Sequence, residues 1–92
     1  MSAIKANKEL VKTAQHITSR ARDYGNEHGL CEIESKDGDW YKAFYNPETD
    51  TYEILKAPKD LGECETICTG VGKKKAEFEL VSILQNQKQI LW

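Results

Sequence analysis

The 92-residue sequence has no apolar run near the roughly 18 to 20 residues that span a bilayer. Its opening, Met1-Ser2-Ala3-Ile4-Lys5, lacks the apolar stretch of a secretory signal, so a cytoplasmic protein without membrane attachment is expected. Proline is scarce, with two residues, and glycine numbers only six, which excludes low-complexity and collagen-like chains. The three cysteines, Cys31, Cys64 and Cys68, are an odd set that argues against a disulfide framework and for reduced, buried thiols. Cys64 and Cys68 stand in C-x-x-x-C spacing, and both histidines, His16 and His28, lie far upstream. That is no zinc-ribbon pattern, and neither a metal nor another cofactor is expected.

What is present suits one globular domain covering residues 1–92. Apolar residues make up 39% and charged residues 30%, enough to build a single core, while the chain is too short for two. A monomer is expected. The net charge of −2 is unevenly placed. Residues 1–26 carry five basic and two acidic side chains, residues 27–70 four and eleven, and residues 71–92 four and two. Folding can turn that unevenness into separate acidic and basic surfaces, suited to a partner made of both protein and nucleic acid. An ordinary solvated surface is the alternative.

Leu10, Ala14, Ile17, Ala21 and Tyr24 recur every three or four positions, the stripe of an amphipathic helix. It should start near Ala3 or Lys8, with Ser2 or Asn7 as cap, and end near Asp23, with Gly25 supplying the left-handed turn. Its outer faces carry Lys5, Lys8, Lys12, Arg20 and Arg22. From Leu30 the period becomes two: Cys31, Ile33 and Ser35 alternate with Glu32 and Glu34. Asp37-Gly38 reads as a two-residue hairpin turn, Trp40 to Tyr45 as a returning strand, Asn46-Pro47 as the next turn and Thr51 to Lys56 as a third strand. Beyond Pro58, Leu61, Cys64 and Ile67 or Cys68 fit a short helix begun by Asp60 while Thr66, Ile67 and Thr69 favour a strand, and the helix is preferred; after a break at Gly70-Val71-Gly72, Ala76 to Leu80 alternates like a strand although Leu80, Ile83 and Leu84 would also suit a helix, and the strand is preferred. Ile90-Leu91-Trp92 is too apolar for a solvated tail and should dock on the core or a partner. The expected fold is α+β, an N-terminal amphipathic helix packed on an antiparallel β-sheet meander of three to five strands.

No constellation for catalysis emerges. The carboxylates fall on alternating strand positions and turns, whereas acid–base work needs two in a sheltered cleft. His28 and Cys31 are the only close His–Cys pair and lack a local signature of nucleophilic catalysis. A binding protein, not an enzyme, is expected. Trp40, Tyr41, Phe44 and Tyr45 put rings on both faces of the second strand, and a core accounts for one face only. The other pair is either covered by the rest of the chain or free to anchor a protein or stack on bases.

Gly70-Val71-Gly72-Lys73-Lys74-Lys75 lacks the spacing of a Walker A loop. The stretch from Gly70 to Leu80 resembles the last motif of double-stranded RNA-binding domains, whose lysines at a helix start reach phosphates. The match covers about a tenth of the chain, and some thirteen residues separate the third strand from the lysines where that family has a short loop. Taken whole, from Met1-Ser2-Ala3-Ile4-Lys5-Ala6-Asn7-Lys8 onward, the sequence resembles the small phage-encoded anti-CRISPR proteins that inhibit type I-F surveillance complexes. The resemblance implies a non-enzymatic inhibitor in the host-cell cytoplasm that docks on Cas proteins, touches guide RNA and hinders target DNA hybridisation. Those proteins share no motif, so no residue role transfers. From charge and aromaticity, Glu32, Glu34, Asp37, Asp39 and Trp40 are expected to meet protein, and Arg20, Lys73, Lys74 and Lys75 to meet nucleic acid. The alternative is a small RNA-binding module.

Overall fold

The apolar stripe at the start of the chain forms a long helix, α1 (Ser2–Tyr24), that buries Ala14, Ile17, Thr18 and Ala21 and leaves Lys8 and Lys12 outside. The structure, a computed structural model, describes residues 2–24, 31–58 and 62–92, with the side chains of residues 2–7 and 24 left aside. The capping roles of Ser2, Asn7 and Gly25, and the places of Leu30, His28, Asp60 and Leu61, lie outside what is described.

Alternation then produces three strands, β1 (Glu32–Ser35), β2 (Trp40–Asn46) and β3 (Thr51–Ala57), with Ile33, Ser35, Ala43, Tyr52 and Ile54 facing inward. Their meander is antiparallel, Ile33 opposite Tyr41 and Ala43 opposite Ile54. The β1–β2 turn is longer than the two residues expected. Ser35 N–H donates to the Asp39 carbonyl at 2.8 Å, enclosing Lys36-Asp37-Gly38, and Gly38 supplies the positive φ of 96° that a three-residue hairpin loop requires.

The second half corrects two expectations. No helix runs through Cys64 to Cys68; Glu65–Val71 is a strand, β4, because β-branched Thr66, Ile67 and Thr69 outweigh the apolar spacing. Its register with β3 shifts on either side of Ile54, and Gly70 at φ 65° absorbs the bend. Conversely, Ala76 to Leu80 is not a strand but part of a helix, α2 (Lys73–Leu84). Its buried residues are Ala76, Leu80 and Leu84, spaced by four, and Lys, Ala, Glu and Leu are strong helix formers. The period-two reading fitted only half of that stripe.

The last strand, β5 (Gln87–Leu91), pairs antiparallel with β1, setting Ile90 opposite Ile33. The sheet order is therefore β4-β3-β2-β1-β5, open, with β4 and β5 as edges. Helix α1 packs on α2 and β2, and α2 on β1, β3 and β4, so both helices cover the same face. Between them lie Ala14, Ile17, Ile33, Ala43, Ile54, Leu80 and Leu84. Full burial of each larger aliphatic chain there contributes about 1.5 to 3 kcal/mol. The α+β expectation thus holds, at five strands and with a second helix.

Candidate partner-binding face

The period of two in β2 sends Tyr41, Ala43 and Tyr45 under the helices and Trp40, Lys42 and Phe44 out the other way. No element lies over that outer face among the described residues, and β5 extends the sheet sideways instead of folding across it. Tyr41 and Tyr45 pack against the core, while Trp40 and Phe44 lie on the opposite face of the sheet, each partly buried, with no described helix over them.

Strand register fixes what stands beside them. Trp40 is flanked by Glu34 of β1 and Ala57 of β3, Lys42 by Glu32 and Leu55, and Phe44 by Glu53. Leu91 of β5, 47% exposed, lies across from Glu32 and extends the same apolar strip. A groove of about 240 Å³ opens there, walled by Trp40, Phe44 and Leu55, with Glu32, Lys42 and the exposed Cys64 at its sides. This is a half-exposed apolar strip carrying three carboxylates and one ammonium. A larger depression of about 410 Å³ sits at the β2–β3 turn beside Tyr45 and Tyr52. There the Tyr45 hydroxyl already donates to Asp50 at 2.6 Å, and that bond, with lesser help from desolvation, holds the phenol proton above its usual range.

Of the residues expected to meet protein, Glu32, Glu34 and Trp40 come together on this face. Asp37 and Asp39 do not lie on it but in the adjoining turn. Each acid already has an internal partner. Glu32 faces Lys42 at 3.5 Å, Glu34 accepts from the Gln89 amide at 2.6 Å, Asp37 accepts from Asn86 at 3.1 Å and Asp39 faces Lys56 at 3.5 Å. The ion pairs are partly solvated and contribute roughly 0.2 to 1 kcal/mol each, so a stronger partner can displace them.

The residues expected to meet nucleic acid separate. Lys73, Lys74 and Lys75 form the first turn of α2, preceded by Gly72, which offers no side-chain cap. Lys73 reaches Glu77 at 2.8 Å and Lys75 reaches Glu79 at 3.9 Å, so much of the positive charge is neutralised within the helix. Thr18 of α1 also donates to Glu77, at 3.2 Å, which ties the start of α2 to one flank of α1. Arg20 is turned to another flank, its guanidinium 5.7 Å from the ring centre of Trp92, which also meets His16 edge-on at 4.8 Å. The structure does not bring Arg20 together with the lysines. The acidic β1–β2 turn sits at the far end of α2, where Lys36 N–H donates to the Asn86 carbonyl at 2.9 Å. Twelve helical residues, about 18 Å, separate it from the lysines.

Sequence reasoning passed over Leu55, Glu53 and Leu91 as parts of the face. Parity in β3 carried the signal for the first two, since Tyr52 and Ile54 point inward. It also passed over Phe78, 70% exposed on α2 beside the Lys75 ammonium, because the segment was read as a strand.

Among the described residues, no group of three or more His, Cys, Asp or Glu side chains stands where it could hold a metal, and every buried side-chain nitrogen or oxygen has a hydrogen-bond partner. No described helix is long and apolar enough to cross a membrane. Burial pushes the Cys31 thiol up to about 11, the Arg20 charge pulling the other way, which leaves that thiol a poor nucleophile. Comparison with protein-family models, curated proteins and solved structures found no match for this chain.

Proposed function

We propose that this chain is a non-enzymatic inhibitor that binds a nucleic-acid-guided ribonucleoprotein, laying the open face of its sheet on the basic protein surface that otherwise holds nucleic acid. The observation that carries the reading is the face itself: Trp40, Phe44 and Leu55, half-buried, line an open groove on the side of the sheet away from the helices, with Glu32, Glu34 and Glu53 around them. Aromatic side chains in a desolvated patch supply the anchors of protein interfaces, and a surrounding acidic rim steers a positively charged partner and rejects nucleic acid. The resemblance to anti-CRISPR proteins names a concrete candidate, the Cas subunits of a type I-F surveillance complex. Occupying their nucleic-acid channel hinders target DNA hybridisation without any chemistry on the inhibitor's part.

The test is binding of the full chain to a purified type I-F surveillance complex, followed by target DNA binding in its presence. The Trp40→Ala, Phe44→Ala double variant should lose at least about 2 kcal/mol of affinity while circular dichroism stays unchanged. Full retention of binding by the folded variant overturns the reading.

A second reading has its own observation. Phe78 stands exposed beside Lys75 at the start of α2, and an aromatic ring among lysines is what base stacking with phosphate contact uses. An RNA-binding module working through Lys73, Lys74, Lys75 and Phe78 would bind bare RNA with a steep salt dependence. The inhibitor would bind bare RNA poorly and the assembled complex well.

A further inference from the structure

The open face holds one cation among three carboxylates, and the way it holds that cation indicates what else fits. The Lys42 ammonium lies 3.5 Å from a Glu32 carboxylate oxygen and 5.8 Å from the centre of the Phe44 ring. Trp40 stands two residues before it on the same face, and the groove that these side chains line with Leu55 and Cys64 is about 240 Å³. That is below the range of pockets that enclose drug-sized ligands and has room for a single side chain. Glu53, opposite Phe44, takes part in no ion pair among the described residues, so the face keeps a surplus of negative charge after Lys42 is counted.

We infer that this groove is a receptor for an arginine side chain presented by a protein partner, and that Lys42 occupies it as an internal stand-in until the partner arrives. The inference rests on the open-face reading above and specifies its chemistry. A guanidinium is the better occupant on three counts. Its planar fork can engage the Glu32 carboxylate through two parallel hydrogen bonds, which an ammonium cannot do. Its flat face stacks on an indole or phenyl ring. It is also more weakly hydrated than an ammonium and so costs less to desolvate in an apolar groove. Lys42 is half-exposed, with side-chain exposure of 38%, and its stem can swing to solvent. Displacement exchanges one solvated ion pair for a more enclosed one and leaves Glu32 partnered throughout. Charge complementarity selects against the phosphates of a nucleic acid, which would meet Glu32, Glu34 and Glu53.

The sign of one substitution decides the matter. A lysine that contacts an acidic or nucleic-acid ligand is needed for binding, whereas a stand-in competes with the ligand. Removing the Lys42 charge while keeping its apolar stem, Lys42→Met, should therefore tighten binding of an arginine-bearing probe by about three- to tenfold, the range expected of one released cation–aromatic and ion-pair contact. The probe is a capped Gly-Arg-Gly-Arg-Gly peptide, with its lysine counterpart and an oligouridylate RNA as controls. Binding is read by chemical-shift changes at the Trp40 indole and at Phe44 and Leu55 of the full chain. Glu32→Gln should weaken arginine-peptide binding at least about fivefold, because the fork loses its charged acceptor. Both sites are solvent-accessible, and circular dichroism of each variant confirms folding.

Weakened arginine-peptide binding in Lys42→Met, no shift at Trp40, or preference for the RNA overturns the inference. Failure of the broader reading looks different. If the surveillance complex still binds the Trp40→Ala, Phe44→Ala protein fully, the open face is not the interface. If the complex needs those rings but ignores Lys42→Met and Glu32→Gln, the face stands and the arginine receptor falls.

Discussion

Strand β2 carries two aromatic pairs on opposite faces, and the helices pack on only one of those faces. Tyr41 and Tyr45 are partly buried on the helix side, packed against the core, Tyr45 leaning on the buried Tyr52 at 5.0 Å between ring centres. Trp40 and Phe44 lie on a surface that no described element covers. Composition along the strand does not separate the pairs, and a hydrophobicity scale would place tryptophan and phenylalanine inside ahead of tyrosine. All four rings are partly buried, so the pairs differ in what they pack against and not in how deeply they lie.

The sharpest way to test the contrast is stability, since adjacent residues in β3 sample the two faces. Ile54→Ala should cost about 2 to 5 kcal/mol in urea unfolding, the range for deleting a fully buried aliphatic chain. Ile54 is 0% exposed. Leu55→Ala, on the open face, should cost about 1 kcal/mol or less. Equal losses would mean that the outer face is packed as tightly as the inner and would break the comparison.

A second contrast uses thiols. Cys31 is buried on the helix side, Cys64 is exposed beside the open groove and Cys68 is intermediate. An alkylating reagent at about pH 8 should modify Cys64 first and Cys31 only when the chain opens, because the thiolate is the reactive form. Burial holds the Cys31 proton until about 11, against 9.0 for the unfolded thiol. Over that window the unfolded chain releases the proton first, so folding stability falls as pH rises from 9.0 through about 11 and is unaffected below it. Cys31→Ala should flatten that part of the alkaline decline relative to wild type. An unchanged slope would show the thiol to be solvated.

The smallest effect is expected on the outer surface of α2. Lys75→Gln breaks a 3.9 Å pair with Glu79 and should change stability by less than about 0.5 kcal/mol. A larger loss would show that this helix face is held by something other than solvent-exposed charge.

Much of the first half of the fold could be read directly, and much of the second half could not, for definite reasons. In α1 and β1 to β3 the periodicity, the turn residues and the propensities agree. In Cys64 to Leu80 they conflict: Leu61, Cys64 and Ile67 have helical spacing but Thr66, Ile67 and Thr69 prefer a strand, and Phe78 sits outward although apolar. Phe78 at 70% exposure supplied the false alternation that hid the α2 stripe of Ala76, Leu80 and Leu84. For the candidate site, the grouping of Glu32, Glu34 and Trp40 was foreseeable from parity within one hairpin. Leu91 was not, because its neighbour Glu32 is set by a pairing of distant segments.

That pairing has a consequence in time as well as space. Strand β1 becomes an interior strand only when β5 closes against it, joining Glu32 to Leu91 and Glu34 to Gln89, the latter 55 residues apart in sequence. On a ribosome, β1 must wait with one edge unpaired until β5 has emerged, while β2, β3 and β4 can assemble in order behind it. Contacts of such long sequence separation are slow to form and leave an open template in the interval. The half-made sheet is thus exposed to misassembly until β5 arrives. Shortening the chain by the length of β5 should then impair folding far more than the modest burial of that strand implies.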